Sequence, residues 1–207
     1  MVAIIDISRG LMEAPLYPES MLPRLNKASD CAKGDLFNET IITASVHTAT
    51  HADAFCHMPC SSSASIDQMT LAYYLGPCDV LSVETKIDGN FLRNALPDNC
   101  RRVLIKGNGK IYAEDDIGEV LADKGIITYG TDAVSVGPLD NEIAVHKSLL
   151  SRKIAILENL DLSKVTEGRY FLIALPIKLE DSDGAFVRAV LLETIEDILQ
   201  NDDGALL

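Results

Sequence analysis

Three of the four histidines in this chain fall within eleven residues, together with one aspartate; the set is His47, His51, Asp53 and His57. All four occupy odd positions, so on an extended strand with a side-chain period of two they would share one face. A helix would bring only His47 and His51 together. Imidazole is the commonest metal ligand among side chains, and mixed nitrogen and oxygen donors suit Zn²⁺ or Mn²⁺. The spacing therefore predicts a metal site on a strand.

The fourth histidine, His146, precedes Glu158 by twelve residues. A lone histidine is more often a core or capping residue than a ligand. Here a helix carrying an imidazole, followed by a strand that ends in a carboxylate, predicts a second source of ligands. A site with three protein ligands leaves a position open for water, as catalytic zinc sites do.

Composition sets limits on what the chain can do. It has 207 residues, 47% of them hydrophobic and 24% charged, which is typical of one globular domain. No apolar run approaches the roughly 18–20 residues that a bilayer crossing needs. The net charge of −13 argues against nucleic acid or a membrane as a partner, because both require clustered Lys and Arg. Five scattered cysteines and an N-terminus without a secretory pattern predict a cytoplasmic location.

Hydrophobic patterns along the chain predict the strands and helices that must position these residues. Prolines and loop residues predict an irregular segment over 9–38. Strands and helices interleave without strict alternation, which predicts a mixed α/β layered fold rather than a doubly wound parallel sheet. One domain spans 1–207, with an acidic tail from about 193 that begins as a helix and then frays. The predicted strands are 1–8, 39–55, 78–83, 102–106, 126–130, 153–158, 170–176 and 186–192, and the predicted helices are 91–96, 114–124 and 142–151.

The segment 47–57 resembles the H-x-G-T-H-x-D-x-P-x-H signature of the cyclase-like metal-dependent hydrolases, a family that includes the bacterial kynurenine formamidases. The resemblance extends in matching order through most of the chain. Further matches are the strand at 5–8, the Tyr-Pro pair at 17–18, segments at 130–132 and 136–140, H-x-x-L-L at 146–150, I-L-E-N at 156–159, L-I-A-L-P at 172–176 and a D-G-x-P-V-R-A-like segment at 183–189. An ordered series of this kind is far more specific than one histidine motif.

The resemblance implies a ligand set for one or two divalent metals, with zinc preferred and manganese as the alternative. His47, His51 and Asp53 would hold a first metal. Asp53 would bridge to a second metal, also bound by His146 and Glu158. A layered β/β/α swivelling domain with a mixed sheet is the fold that the resemblance implies, usually as a homodimer or a higher homo-oligomer.

The resemblance also implies that His57 stays unligated and acts as the general acid and base. Two signature positions differ here, because Ala49 replaces a glycine and Phe55 replaces a proline. The chain has no tryptophan, the residue that the family places against an aryl substrate. Tyr17 and Phe55 are therefore the predicted substrate-binding residues.

The function implied is that of an arylformamidase, a metal-dependent amidohydrolase that converts N-formylkynurenine to kynurenine and formate in tryptophan catabolism. A related hydrolase that opens a cyclic amide or lactone is the close alternative. A third possibility, from another class, is a metal-binding family member that has lost catalysis through Ala49 and Phe55.

Other polar features have more ordinary interpretations. Asp132 could support a metal-bound imidazole or cap a turn, and the residue alone does not choose. The glycine-containing segment 107–109 lacks the longer fingerprint of a phosphate cradle, so it predicts a tight turn. Cys56 has the opposite strand parity to the histidines, and we interpret Cys56 and Cys60 as small hydrophobic residues rather than ligands.

Overall fold

The computed structural model describes residues 3–59 and 63–193. Within these ranges the strands are β1 Ile4–Asp6, β2 Arg24–Ser29, β3 Glu39–Thr43, β4 His51–Asp53, β5 Leu75–Ser82, β6 Arg102–Lys106, β7 Thr128–Thr131, β8 Ala155–Glu158, β9 Gly168–Ile173, β10 Gly184–Phe186 and β11 Val190–Leu192. The helices are α1 Gly89–Ala95, α2 Ile117–Asp123 and α3 Glu142–Leu150, with short 3-10 turns at Cys31–Lys33, Phe55–His57, Ile66–Gln68 and Leu71–Tyr73.

Nine of the strands form one mixed sheet in the order β1-β11-β9-β5-β6-β7-β8-β4-β10. The central strands β5, β6, β7 and β8 run parallel, and the other pairings are antiparallel. Each parallel crossover contains one helix, as parallel connections usually do. In the helical layer α1 packs on α2 and α2 on α3. The predicted mixed α/β fold is confirmed.

The hydrophobic core explains why the central strands were easy to predict. All residues of β7 and β8 are buried, as is most of β6. Strands covered on both faces are continuous apolar runs, such as Val103, Leu104 and Ile105. Buried residues of the helices, including Leu121 and Leu149, pack in the same core. This rigid centre carries β8 and α3, the two elements that hold Glu158 and His146.

The prediction of one continuous strand over 39–55 is wrong. Its first part is β3, which pairs with β2 in a separate two-stranded sheet, and its last part is β4 in the large sheet. Between them the chain turns, and Ala49 adopts a φ of 58°, in the left-handed region. An extended strand cannot pass through such a residue. The shared odd parity of the histidines is therefore not what brings them together.

Two other predictions also differ from the structure. The segment 9–38 contains β2, so it is not wholly irregular, although its prolines lie outside that strand. The predicted strand 186–192 is divided between two short strands: β10 forms one edge of the sheet, and β11 lies beside β1, the strand at the opposite edge. The acidic tail from 194 and Cys60 lie outside the described residues. None of the helices described here has the length and hydropathy that a membrane span requires.

Candidate metal centre

Strand β4 places two of the predicted ligands at the centre of the site. It lies between β8 and β10, and in this register His51 is the direct neighbour of Glu158. Directly opposed side chains on antiparallel strands lie close together. His51 Nε2 is 3.3 Å from Glu158 Oε2 and 3.3 Å from Asp53 Oδ1. Strand pairing thus brings together residues that are 107 positions apart in the sequence.

Helix α3 and the turn before β4 supply the other two imidazoles. His146 Nε2 lies 3.4 Å from Asp53 Oδ2 and 3.3 Å from Glu158 Oε1. His47 Nδ1 lies 3.0 Å from Asp53 Oδ1. All five predicted ligands therefore converge, with Asp53 contacting an imidazole on each side. We call these five residues the ligand cluster. Asp53 is wholly buried, and apart from His47 the members of the cluster are at most 5% exposed.

Backbone carbonyls orient the two most buried imidazoles. His51 Nδ1 is 2.9 Å from the Ala49 oxygen, and His146 Nδ1 is 2.9 Å from the Glu142 oxygen. Each Nδ1–H can donate to its carbonyl, which directs Nε2 into the cluster; this is the arrangement typical of metal-binding histidines.

Two buried atoms of the cluster, His51 Nε2 and Asp53 Oδ2, have no partner in hydrogen-bond geometry, although each lies 3.3–3.4 Å from a group of opposite charge. A buried polar atom without a partner is rare in native proteins and needs a physical reason. Nitrogen and carboxylate donors that converge on one point without a partner fit a bound divalent cation. The residues present therefore suit the metal that the sequence predicts.

The electrostatics of the cluster support the same conclusion. Burial alone would lower the pKa of His51 and His146, but the adjacent carboxylates of Asp53 and Glu158 outweigh it and raise the two values to about 10 and about 11. Burial would likewise raise the pKa of Asp53, yet the surrounding imidazoles hold it well below its usual range. Without a metal, protonated imidazoles neutralise the carboxylates. A metal cation must displace those protons.

A second group, around His57, borders the cluster. His57 ends the 3-10 turn Phe55–His57, and its Nδ1 lies 3.2 Å from Asp183 Oδ2. The same carboxylate oxygen is 3.0 Å from His47 Nε2, and the His47 and His57 rings lie 4.2 Å apart. Asp183 thus connects a predicted ligand with the predicted acid and base. The sequence analysis missed Asp183 as a site residue, although it begins the matched segment 183–189.

Strand β10 explains how Asp183 reaches the site. Gly184 pairs with Asp53 across the sheet edge, so Asp183 lies beside the end of β4. A Cβ at Gly184 would lie 2.9 Å from the Ala52 oxygen and 2.9 Å from His47 Cε1. Only glycine lets this strand approach the His47 ring so closely. The signal in the sequence was an aspartate followed by a glycine within a matched motif.

The cluster opens into a cavity of about 410 Å³. Its lining includes Tyr17, His47, His57, Glu142, His146 and Glu158. The Tyr17 hydroxyl donates to Glu142 Oε1 at 2.6 Å, and this hydrogen bond raises the pKa of Tyr17 to about 12. Tyr17 therefore forms part of the cavity wall beside the ligand cluster.

Phe55 lies elsewhere, which corrects its predicted role. It is buried in the hydrophobic core and does not line the cavity. Its ring packs edge-on against Tyr73, with centroids 5.4 Å apart. The 3-10 turn points Phe55 inward while its neighbour His57 faces the cavity. We therefore do not retain Phe55 as a substrate-binding residue.

The chain is similar in sequence to proteins of a known family. The Cyclase family model matches residues 5–138. The chain belongs to the Cyclase family. The kynurenine formamidase of Delftia acidovorans is 33% identical over 201 residues, which cover 90% of this chain and 95% of that protein. The kynurenine formamidase of Bacillus cereus is 37% identical over 163 residues, 72% of this chain and 78% of that protein.

A solved structure extends the likeness of this Cyclase family member to three dimensions. It is described as a potential metal-dependent hydrolase with cyclase activity, and it superposes with a TM-score of 0.80 at 27% identity. The match covers 94% of this chain and 99% of the other. The large mixed sheet and its few helices are therefore a fold shared within the family.

As a Cyclase family member, the chain shows why the signature has a glycine where Ala49 stands. Ala49 is buried with a φ of 58°, a conformation that glycine adopts without steric cost. The turn at this position directs His47 back toward Asp53, so the alanine keeps the geometry at the expense of local strain.

Asp132 also belongs to a matched family segment, and the structure shows what it contacts. Its carboxylate accepts hydrogen bonds from the backbone N–H groups of Gly107 and Gly109, at 3.0–3.1 Å. Asp132 thus caps the turn at 107–109, and of the two interpretations the turn cap is the one observed.

Proposed function

We propose that this protein is a kynurenine formamidase, which hydrolyses N-formylkynurenine to kynurenine and formate. The observation that carries the proposal is the buried ligand cluster of three imidazoles and two carboxylates, which opens into a cavity lined by a further imidazole. Relatives that bear this name match up to 90% of the chain at 33–37% identity. The chain is accordingly a metal-dependent amidohydrolase acting on a small amide.

The ligand cluster would hold one or two divalent metals, with zinc as our first choice and manganese as the alternative. The donors are three imidazoles and two carboxylates, a set that both ions accept. When bound, such an ion supplies Lewis acidity, which lowers the pKa of water to about 7 and polarises a carbonyl oxygen. Asp53 is the shared carboxylate, because its two oxygens face different imidazoles.

His57 moves the protons in this proposal. If Nδ1–H donates to Asp183, Nε2 is left to accept a proton from water as the water oxygen adds to the formyl carbon. His57 then returns that proton to the aryl nitrogen as the C–N bond breaks, giving formate and the free arylamine. An imidazole suits both steps because a ring nitrogen can accept a proton and then donate it again.

The proposal is tested with protein purified without chelators. Its metal content is measured by mass spectrometry, and formate release from N-formylkynurenine is followed with the same sample. We expect at least one equivalent of metal and turnover that chelation removes. Fully loaded protein that hydrolyses no formyl-aryl amide would instead support the non-catalytic, metal-binding alternative, and hydrolysis of cyclic amides alone would support the lactam-opening one.

We also propose that the protein is a homo-oligomer, and that the two-stranded sheet of β2 and β3 packs against a second copy. An isolated pair of strands is at best marginally stable in water. Here Leu25, Ile41 and Ile42 are each at least 50% exposed, and Phe37 in the connecting loop is 59% exposed. Light scattering should show a dimer or larger assembly. Ile41→Lys should dissociate it, whereas Leu71→Lys, an equally exposed leucine elsewhere, should not.

The location proposed from the sequence is the cytoplasm. Cys31, Cys78 and Cys100 carry free thiols, which agrees with a reducing compartment. Burial raises the pKa of Cys78 and Cys100 to about 12, so both behave as inert core residues.

A further inference from the structure

Apart from its imidazoles, the cavity is lined by charged side chains of one sign only. Its lining contains two carboxylates, Glu142 and Glu158, and no lysine or arginine among the described residues. Glu158 belongs to the ligand cluster, where it contacts His51 and His146 and accepts the Val136 N–H at 2.7 Å. Glu142 is therefore the carboxylate that remains available to a substrate.

Glu142 is held in place without being neutralised. It is the first residue of α3, and its Oε1 accepts the Tyr17 hydroxyl at 2.6 Å. Among the ion pairs in the described ranges, none includes Glu142. Tyr17 supplies a neutral donor, so the carboxylate has a fixed direction and no counter-charge from this partner. A fixed carboxylate without a cationic partner in a cavity is suited to bind an ammonium group.

The position of Glu142 relative to the ligand cluster determines how far apart the formyl group and the ammonium group of a substrate can be. Glu142 precedes His146 by four residues on one helix, about 6 Å along its axis. In N-formylkynurenine the α-nitrogen is seven bonds from the formyl carbon, a span of roughly 8 Å when extended. A formyl group at the cluster would therefore place the α-ammonium within reach of Glu142. The α-carboxylate of the same substrate meets no lysine or arginine among the described residues that line the cavity.

We propose that Glu142, oriented by Tyr17, binds the ammonium group of the substrate and makes the enzyme selective for formyl-aryl amides that carry an amine. This inference rests on the proposed formamidase function. If Glu142 recognises the ammonium group, the α-carboxylate of the amino acid contributes little to recognition. The decarboxylated amine should therefore be as good a substrate as the amino acid, and the deaminated acid should be a poor one.

The first test uses the wild-type, metal-loaded enzyme and four substrates. They are N-formylkynurenine, its decarboxylated amine, its deaminated acid and formanilide, which has neither group. We expect kcat/KM of the two amines to agree within about threefold, and to exceed that of the deaminated acid by at least tenfold. A deaminated acid that matches the amines would overturn the inference while leaving the formamidase function intact. Failure to cleave any of the four would refute the function itself.

The second test uses a variant that removes the charge and keeps the shape. Glu142→Gln can still accept the Tyr17 hydroxyl, so we expect its preference for amine over deaminated acid to fall by at least tenfold. Asp140→Asn is the matched control, because it removes the same charge two residues earlier from an exposed side chain outside the cavity. Its preference should stay within twofold of wild type. An equal drop on all substrates in Glu142→Gln would mean a purely structural role and contradict the inference.

A binding measurement gives a readout that does not depend on turnover. Kynurenine and its deaminated analogue are titrated into the metal-loaded protein, and their dissociation constants are compared. We expect kynurenine to bind at least tenfold more tightly to wild type, and the two to bind alike to Glu142→Gln. Equal binding of both ligands to wild type would overturn the proposal even if the variant proved unstable. Metal content, measured in parallel, should be the same in wild type and variant.

Discussion

The ligand cluster and the cavity wall beside it are built in different ways. His51, Asp53 and Glu158 lie on paired strands of the large sheet and are at most 5% exposed. The residues beside the cluster include Tyr17, His57 and Asp183, which lie on loops and a short 3-10 turn and are more open, with Asp183 at 51% exposure. The cluster is thus held by register and packing, whereas the wall is held by single hydrogen bonds. The difference indicates that metal binding can persist while the wall changes to suit another substrate.

The largest expected effect comes from Asp53. Asp53→Ala removes the carboxylate that contacts His47, His51 and His146 at once. We expect it to bind no metal and to lose at least 10³-fold in activity, since lost ligation removes the Lewis acid. Metal content and formate release measure the two effects, and circular dichroism verifies the fold. Retention of full metal stoichiometry would contradict the bridging role of Asp53.

His57→Ala should impair catalysis without affecting metal binding, because His57 lies beside the ligand cluster and is not part of it. We expect metal content to be unchanged and kcat to fall by about 10²–10⁴-fold, the usual contribution of a general acid and base. The same metal analysis and formate assay apply. If this variant loses its metal, His57 is a ligand and the boundary drawn between the two regions is wrong. The geometry makes this a real test, because one ring nitrogen of His57 lies within 4.8 Å of ligand atoms of Asp53 and His146.

Metal affinity should depend steeply on pH because of the cluster. In the metal-free protein the pKa of His51 is about 10 and that of His146 about 11, so both are protonated at pH 7. Ligation requires neutral imidazole, so metal binding releases protons and affinity falls as pH falls. We expect a decrease of at least tenfold per unit between pH 8 and 6. Calorimetry in buffers of different ionisation enthalpy measures the protons released. If metal binding releases none, the imidazoles of the metal-free cluster are not protonated as described.

The same pKa shifts determine how metal-free protein responds to pH. A histidine whose pKa is raised on folding stabilises the fold fully below its unfolded value near 6.5, and this contribution is lost as pH rises through its folded value. We expect the free energy of unfolding in chelator to decrease as pH rises toward 10–11. Metal-loaded protein lacks these protons and should show a smaller decrease over the same range.

The smallest effect concerns the turn that leads into β4. Ala49→Gly relieves the left-handed strain at a φ of 58°, and we expect it to stabilise the protein by about 1 kcal/mol without loss of metal. Ala52→Gly is the matched control, since Ala52 is a buried residue of β4 itself. It should destabilise by about 1 kcal/mol. Denaturant unfolding compares the two, and a destabilising Ala49→Gly would show that the turn is not strained.

Sequence patterns predicted the central elements well. Strand β6 was predicted with its observed bounds, and α3 and β8 with errors of one or two residues at their ends, because buried strands and helices produce clear hydrophobic periodicity. Strand β2 was missed because its residues are almost all exposed, so no buried face marks it in the sequence. Asp183 was missed as a site residue because its partners His47 and His57 are more than 120 residues away.

The sequence by itself determined the ligand types, their approximate number and the family, since these depend on residue identity and order. Only the tertiary structure decided how the residues of the predicted site meet. His47 enters through a left-handed turn at Ala49, His57 through a 3-10 turn, and Asp183 through an edge strand. The strand parity that suggested the site was not its cause. Local spacing constrains only neighbours in the chain, whereas a buried site is closed by pairings between strands far apart in sequence.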